Sequence, residues 1–405
     1  MSPRILFVCR RPPWPLDNGA RIRSHRLLEG VARRFDTTLL TMQHHPDSPD
    51  GRVDLDELQQ ALPDVAIEAV DGLGASKRLH QLRSLISTDS WSFGRYRTAA
   101  FRQAIAQRAR ELDVQMVHAD DLGAALALPD RSQLPQDCVL VYASHNIESR
   151  ILDGDARASA GFRRRFAWLD SRKLRREERS VWNRVDLNLA VSEHDLDEIR
   201  ARTAVPAELC PNGTDPVESA SAPPGGATGT LRLLFVGSGS YAPYERGLAW
   251  FADAVMPTLR QRHDVVLDVV GRPPHQPSAT SDVVHRGYVD DLRPWYEGAD
   301  AVVVPVFEGS GTRLKLVEAA EHARPIVTTS LGAQGLPLEP DVHYLRAETA
   351  DEFVRAIDRI ADGTGTTDLV DRARRAVQPL LWPRITDELC DRYRTLFDSR
   401  APARP

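Results

Sequence analysis

A two-domain α/β protein with parallel sheets covered by helices is predicted by three features of the sequence. Short β-rich apolar runs alternate with longer helical patterns, the alternation occurs twice, and a stretch rich in Pro, Gly, Ala and Ser separates the two series. The first series predicts strands at Ile5–Cys9, Thr37–Thr41, Val65–Val70, Val114–His118, Cys138–Ala143 and Leu187–Val191. The second predicts strands at Leu231–Val236, Val265–Val270, Ala301–Val304 and Ile326–Thr328. Residues 217–230 have the composition of an exposed linker, so 1–216 and 231–382 are the expected domains. In the last segment, 383–405, Ile385, Leu389, Tyr393 and Leu396 have the spacing of an amphipathic helix, which suits packing back on the N-terminal domain or on its neighbour.

A chain of 405 residues with 42% apolar composition has room for two or three domains, which excludes a short peptide, a fibre and a disordered tail. A formal charge of -5 argues against a surface that tracks nucleic acid throughout. Cys9, Cys138, Cys210 and Cys390 are far apart and form no CxxC pair, so neither a zinc site nor a disulfide framework is expected, and a reducing cytoplasm is the default. The apolar run ending at Cys9 meets Arg10-Arg11-Pro12-Pro13 at once and is too short for a signal-peptide core. No run approaches the ~20 apolar residues that cross a bilayer. The expectation is a cytoplasmic protein, at most peripheral on a membrane face.

One segment is unusually basic. From Arg157 to Arg184 there are ten Arg or Lys against three acids, with Phe162, Phe166, Trp168, Leu169 and Trp182 interleaved. Such a segment suits an anionic membrane surface or acceptor; it also suits one long helix with an apolar core face and a solvated arginine face.

The densest chemical signal is GSGTRLKLVEAA, residues 309–320, directly after the strand expected at Ala301–Val304. A glycine-bearing turn from strand to helix exposes backbone N–H groups where the helix dipole is positive, which makes Gly309, Ser310, Gly311 and Thr312 candidates for a phosphate cradle. Arg313 and Lys315 fall in the first helical turn, where cations oppose the dipole, and an anion in front of them would remove the conflict. Glu318 lies three residues on, on the face of Lys315, where a carboxylate can accept from two vicinal sugar hydroxyls; the alternative is a plain surface Lys-Glu pair. A second turn, Gly237-Ser238-Gly239-Ser240, also follows a strand and either faces phosphate or is simply tight. In the N-terminal half, Asn18 and Gly19 belong to a third strand-to-helix turn followed by Arg21 and Arg23. His118, Asp120, His145, Asn146 and Glu148 follow expected strand ends, where open α/β sheets bind ligands. There is no GxSxG elbow, HExxH or Walker loop.

With these residues in place, the chain resembles the family-4 glycosyltransferases over nearly its whole length. The most specific part is VVVPVFEGSGTRLKLVEAAEHARPIVTTSLGAQGL, residues 302–336, which is similar to the family's donor-binding segment. Support comes from Pro211-Asn212-Gly213-Thr214-Asp215, Val270-Gly271-Arg272, Gly287-Tyr288-Val289-Asp290-Asp291, Pro15-Leu16-Asp17-Asn18-Gly19 and Ser144-His145-Asn146-Ile147-Glu148. The resemblance implies a GT-B fold, two facing Rossmann-like domains with an interdomain cleft. It also implies sugar transfer from a nucleoside-diphosphate sugar with retention of configuration, no required metal or cofactor, and a glycan, lipid-linked or small-molecule acceptor, with no nucleic-acid partner. It places Glu318 on the donor ribose, Arg313 and Lys315 on the diphosphate, and His118 and Asp120 at a family His-x-His position. The family's paired glutamates leave two readings: Glu308 reaches the sugar from a reshaped loop, or this branch, with Ser310 eight before Glu318, lacks that contact. Arg246 matches a family arginine without its following lysine, a charge that Lys315 would supply. A nucleotide-sugar epimerase, a sugar-binding module without catalysis and, from Gly237-x-Gly239 alone, an NAD-dependent oxidoreductase are the rival expectations.

Overall fold

The computed structural model describes residues 2–43, 53–71, 87–219, 229–237, 241–272, 282–309 and 312–400. It divides into two compact units, one of Met1–Asn212 with Ile385–Pro405 and one of Gly213–Arg384.

The first unit is built on a seven-stranded sheet of β1 (Arg4–Cys9), β2 (Asp36–Gln43), β3 (Ala66–Asp71), β4 (Met116–Asp120), β5 (Val139–Ala143), β6 (Leu187–Ala190) and β7 (Ala207–Leu209), in the order β3-β2-β1-β4-β5-β6-β7. The second unit has β8 (Thr230–Val236), β9 (Asp264–Val270), β10 (Val283–Gly287), β11 (Ala301–Val304), β12 (Ile326–Thr328) and β13 (Leu345–Arg346), in the order β10-β9-β8-β11-β12-β13. All named pairs are parallel. The central strands β4, β5 and β11 are buried at every residue, because helices cover both faces of each sheet. In β5 and β11 the run is unbroken and apolar, and in β4 it is broken by His118 and Asp120, which is why the sequence predicts β5 and β11 most directly. The three strands it misses, β7, β10 and β13, are short or partly exposed and offer no such run.

In both sheets the strand order reverses beside the first strand, between β1 and β4 and between β8 and β11. At that point the carboxyl ends of neighbouring strands diverge and a crevice opens.

Three local features differ from the sequence expectation. The basic segment is two helices, Glu148–Ala158 and Gly161–Trp182, because Ser159 and Ala160 are extended and Gly161 takes φ +59°, a conformation glycine accommodates without Cβ strain. The expected linker at 217–230 is tied down at its start: the Val217 N–H donates to Glu321 Oε1 at 3.1 Å and its carbonyl accepts from Arg374 at 2.7 Å. Arg23, which follows the expected Asn18-Gly19 turn, is buried and donates to the carbonyls of Cys210 and Pro211 and to Asn212 Oδ1 at 2.9–3.0 Å, so it anchors the segment after β7.

The closing helix, Trp382–Arg400, buries Ile385, Leu389, Cys390 and Tyr393, and from Ile385 onward it belongs to the first unit. In the second unit, helix Ala242–Ala254 packs with Gly247 against the chain just past β11; a Cβ there would lie 1.9 Å from the Pro305 carbonyl oxygen. Gly247→Ala is therefore expected to destabilise this unit by ~1–3 kcal/mol in urea unfolding. Gly298→Ala, where a Cβ meets nothing within 4 Å, should be close to neutral, and equal effects would contradict the packing argument.

Candidate functional site

The site of the second unit is built at its switch point. After the apolar β8, the chain turns at Gly237, whose N–H donates to Val270 O at 2.8 Å. A Cβ at Gly237 would stand 2.4 Å from Lys315 Nζ, so the absence of a side chain is what admits the lysine tip. The Gly271 backbone lies equally close beneath, since a Cβ on it would be 2.1 Å from Gly237 O.

Lys315 lies in the first turn of helix Leu314–Glu321, whose N-cap, Arg313, makes no side-chain cap bond and whose first turn holds no acid. The first-turn N–H groups and the positive dipole end are thus joined by two basic side chains, both buried. Lys315 is only 8% exposed, its Nζ lies 3.5 Å from the Tyr244 ring centroid and 4.5 Å from that of Phe235, and it has no hydrogen-bond partner among the described residues. Burial pushes its pKa down to about 7, aided by Arg313 and opposed by Glu318. An ammonium held this way lacks the hydrogen bonds that a buried charge needs, and an anionic oxygen would supply them.

Glu318 is half-buried and accepts from the Tyr296 hydroxyl at 2.7 Å through Oε2. Burial raises its pKa, against the Tyr296 bond and Lys315, which lower it. Tyr296 is itself stacked on His322 at 4.5 Å. Sequence reasoning missed Tyr296, because it sits 22 residues away in the short helix Arg293–Gly298, with no local pattern linking it to Glu318. Glu308 is exposed and paired with Arg246. Gly309 sits under Tyr241, whose hydroxyl would be 2.7 Å from a Cβ, and Thr312 is half-buried between it and the helix. Gly239, Ser310 and Gly311 lie outside the described residues.

In the first unit, the ends of β1, β4 and β5 gather Arg10, Asp120, Asp121, His145 and Glu148. Asp120 is buried; its Oδ2 meets His145 Nε2 at 3.2 Å and its Oδ1 lies 3.7 Å from His118 Nε2. Burial works to raise the Asp120 pKa, but the two imidazoles outweigh it and hold the carboxyl well below its usual range. His118 is wholly enclosed: it stacks on Phe7 with centroids 4.2 Å apart and its Nδ1 is hydrogen-bonded to the Tyr393 hydroxyl. Burial lowers its pKa and so favours the neutral ring. With no exposed surface, His118 acts on Asp120 rather than touching a ligand, and His145, half-buried, is the histidine with an open edge.

The next residue, Asp121, adopts φ +109°, rare for a side chain with a Cβ, and is held there by three bonds: its N–H to Ala143 O, and its carboxylate to Ala124 N–H at 2.9 Å and Arg10 Nε at 3.1 Å. Arg10 lies over the Phe93 and Tyr96 rings at 4.9 and 4.8 Å. The sequence marks Arg10 only as the end of an apolar run, because its partners are non-local. Glu148 begins helix Glu148–Ala158, and burial raises its pKa, with Arg10 and His145 opposing. Asn146 is exposed beside it. Asn18 caps helix Gly19–Ala32 by accepting from Arg21 N–H at 3.1 Å, while Gly19 faces open space, with nothing within 4 Å of a Cβ.

Residues 17–218 match the profile of Glycosyltransferase Family 4, and residues 230–362 match that of Glycosyl transferases group 1. No curated protein matches the chain. Among solved structures, the chain is similar to sucrose-phosphate synthase from Thermosynechococcus elongatus, with TM-score 0.65, 19% identity and coverage of 98% of this chain and 100% of that one. It is similar to Anabaena HepE in complex with UDP and glucose, with TM-score 0.63, 16% identity and coverage of 97% and 100%. It is also similar to a glycosyltransferase from Rickettsia africae, with TM-score 0.64, 12% identity and coverage of 98% and 99%. At these identities the likeness shows the fold, two Rossmann-like domains of the GT-B type.

The depressed Lys315 pKa has a consequence for stability. Its folded value of about 7 lies below the ordinary 10.5, so between those pH values the unfolded chain binds more protons; the cost of burying the charge is full below pH 7 and fades as pH rises to 10.5. Lys315→Met is therefore expected to be more stable than wild type at about pH 6, with the gap narrowing by about pH 9 in urea unfolding. A gap independent of pH would contradict the burial of the charge.

Proposed function

The chain belongs to the family-4 glycosyltransferases, and from that membership we propose that it moves a sugar from a nucleoside-diphosphate donor to an acceptor hydroxyl with retention of anomeric configuration. The observation that carries this reading is the buried Lys315 ammonium, which has no hydrogen-bonded partner among the described residues and sits at an acid-free helix N-terminus beside the Gly237 turn. A diphosphate answers each feature: it accepts from Nζ and the first-turn N–H groups, and it approaches the backbone where Gly237 carries no Cβ.

In the proposed reaction the bond from the anomeric carbon to the diphosphate oxygen breaks and the oxygen leaves with the electron pair. Lys315 and Arg313 stabilise that charge as it develops. The acceptor oxygen attacks the oxocarbenium-like centre on the same face, and its proton passes to the leaving phosphate. Glu318, fixed through Oε2 by Tyr296, accepts from the ribose hydroxyls through its other oxygen. Donor recognition is assigned to the second unit, with Gly237, Gly309 and Thr312 on the phosphates. Acceptor recognition is assigned to the first, with His145, Asn146, Glu148 and the Asn18-Gly19 turn toward the acceptor and with His118 and Asp120 positioning His145. HepE is solved with UDP and glucose, which makes UDP the first nucleotide to test.

Calorimetry with UDP, GDP, ADP and dTDP is expected to show one diphosphate binding selectively and binding more weakly to Lys315→Ala. With a matched donor and an acceptor panel, Lys315→Ala should lose about 10²- to 10³-fold in turnover and Glu318→Ala most of its activity, both with wild-type circular dichroism. Wild-type rates in both variants would refute the assignment. Turnover without any acceptor would favour an epimerase, and binding without turnover across the panel a non-catalytic sugar binder.

A bound diphosphate should also draw a proton onto Lys315. At about pH 8 the empty site is mostly neutral, so the binding heat should vary with buffer ionisation enthalpy, as net proton uptake requires; near pH 6 the dependence should shrink. No proton uptake at the higher pH would remove Lys315 from the phosphate site.

A further inference from the structure

We propose that the outer face of helix Gly161–Trp182, together with Arg157, docks on an anionic lipid surface. The helix carries three acids, and the fold turns all of them inward. Asp170 accepts from the backbone N–H groups of Trp91 and Ser92 at 2.6 and 3.3 Å, Glu177 from Ser90 N–H at 3.2 Å, and Glu178 from Ser149 N–H at 3.3 Å. All three are buried. The bases do the opposite: Arg163, Arg164, Arg165, Arg172, Arg176 and Arg179 are exposed, and none is in an ion pair among the described residues. Inside the fold the acids organise the 87–98 segment and the neighbouring helix; outside, their absence leaves a face of guanidinium groups without a carboxylate partner among the described residues.

Charge alone is common on helix surfaces. What singles out this face is that Trp168 and Leu169 are 48% and 53% exposed in its midst, with the Arg172 guanidinium 4.8 Å from the Trp168 ring centroid. A groove of about 750 Å³ runs between this helix and helix Glu148–Ala158, lined by Arg157, Arg164, Arg165, Trp168, Leu169 and Arg175, among others. Its carboxylate, Asp153, is taken by Arg175 and Ser171. Exposed arginines interleaved with an exposed indole and leucine match the layered chemistry of an anionic bilayer, with phosphates for the guanidinium groups and acyl carbon for the apolar side chains. A soluble polyanion would satisfy the arginines and leave Trp168 and Leu169 without a partner. No described helix is long and apolar enough to cross a bilayer, so the contact is one of lying on the surface.

The full chain would be floated with vesicles of phosphatidylcholine alone and of phosphatidylcholine mixed with phosphatidylglycerol, in low and high salt. Binding is expected only to the mixed vesicles and to weaken in high salt. Arg164→Glu with Arg165→Glu should weaken it by about fivefold or more for each positive charge removed. Trp168→Ala with Leu169→Ala should weaken it as well, with unchanged thermal unfolding in both double variants. Brominated lipid should quench tryptophan fluorescence in the wild type and quench it less in Trp168→Phe. No binding of the folded wild type to mixed vesicles, or binding by either double variant equal to that of the wild type, would overturn the proposal. So would binding of a soluble anionic polysaccharide that needs Arg164 and Arg165 but not Trp168 and Leu169, without vesicle binding; that result would make the partner a glycan.

Discussion

Strands buried on both faces leave a chain few places for polar chemistry other than their ends, and that constraint organises both units. Ile5 to Cys9, Met116 to Asp120, Val139 to Ala143 and Ala301 to Val304 are enclosed by helices. Apart from His118 and Asp120, their side chains are committed to the core before any function is considered. Where the strand order reverses, two neighbouring carboxyl ends are left without a connection over them. The second unit uses that opening for Gly237, Arg313 and Lys315, and the first for Arg10, Asp120, Asp121 and His145. Both put their least comfortable features there: a charge without a hydrogen bond among the described residues in one, an aspartate at positive φ in the other.

The comparison between the two openings is chemical as much as geometric. The first is electrostatically closed. Asp120 faces two imidazoles, Asp121 an arginine, and Arg10 also rests on two aromatic rings, so each charge is answered within the unit. The second is open: among the described residues, Lys315 has only the π faces of Phe235 and Tyr244 and the field of Glu318 to offset its burial. A protein selected for stability alone would fill that place with an apolar side chain. Keeping a lysine there is a cost that, in the proposed reaction, the bound diphosphate offsets.

Much of this was legible in the sequence because it is local. Apolar runs announce β1, β8, β11 and β12, with only Arg232 interrupting β8, and the strand-turn-helix with Arg313, Lys315 and Glu318 can be read from residues 301–320 alone. What the sequence concealed depends on distance along the chain. Nothing near Glu318 points to Tyr296, and nothing near Arg10 points to Phe93 or Tyr96. The exposed-looking strand-end position of His118 gives no sign that Tyr393, 275 residues away, seals it inside. The basic segment shows the same limit in another form: composition counts its charges, but only the fold sorts acids inward and arginines outward. Its helix break was also hidden, since Ser159 and Ala160 carry no strong break signal and Gly161 takes its positive φ at the start of the next helix.

The ends of the first unit are separated in sequence by the whole of the second, which is inserted between Asn212 and Ile385. On the ribosome, then, the second unit is complete as an uninterrupted segment while the first still lacks the helix that carries Tyr393, Leu389 and Cys390. Until those residues emerge, His118 has no hydroxyl from Tyr393 to bond, and Gly30 has no Thr386 against which to pack. The order in which the units are completed thus runs against the order in which they are begun: the unit begun first is the one finished last.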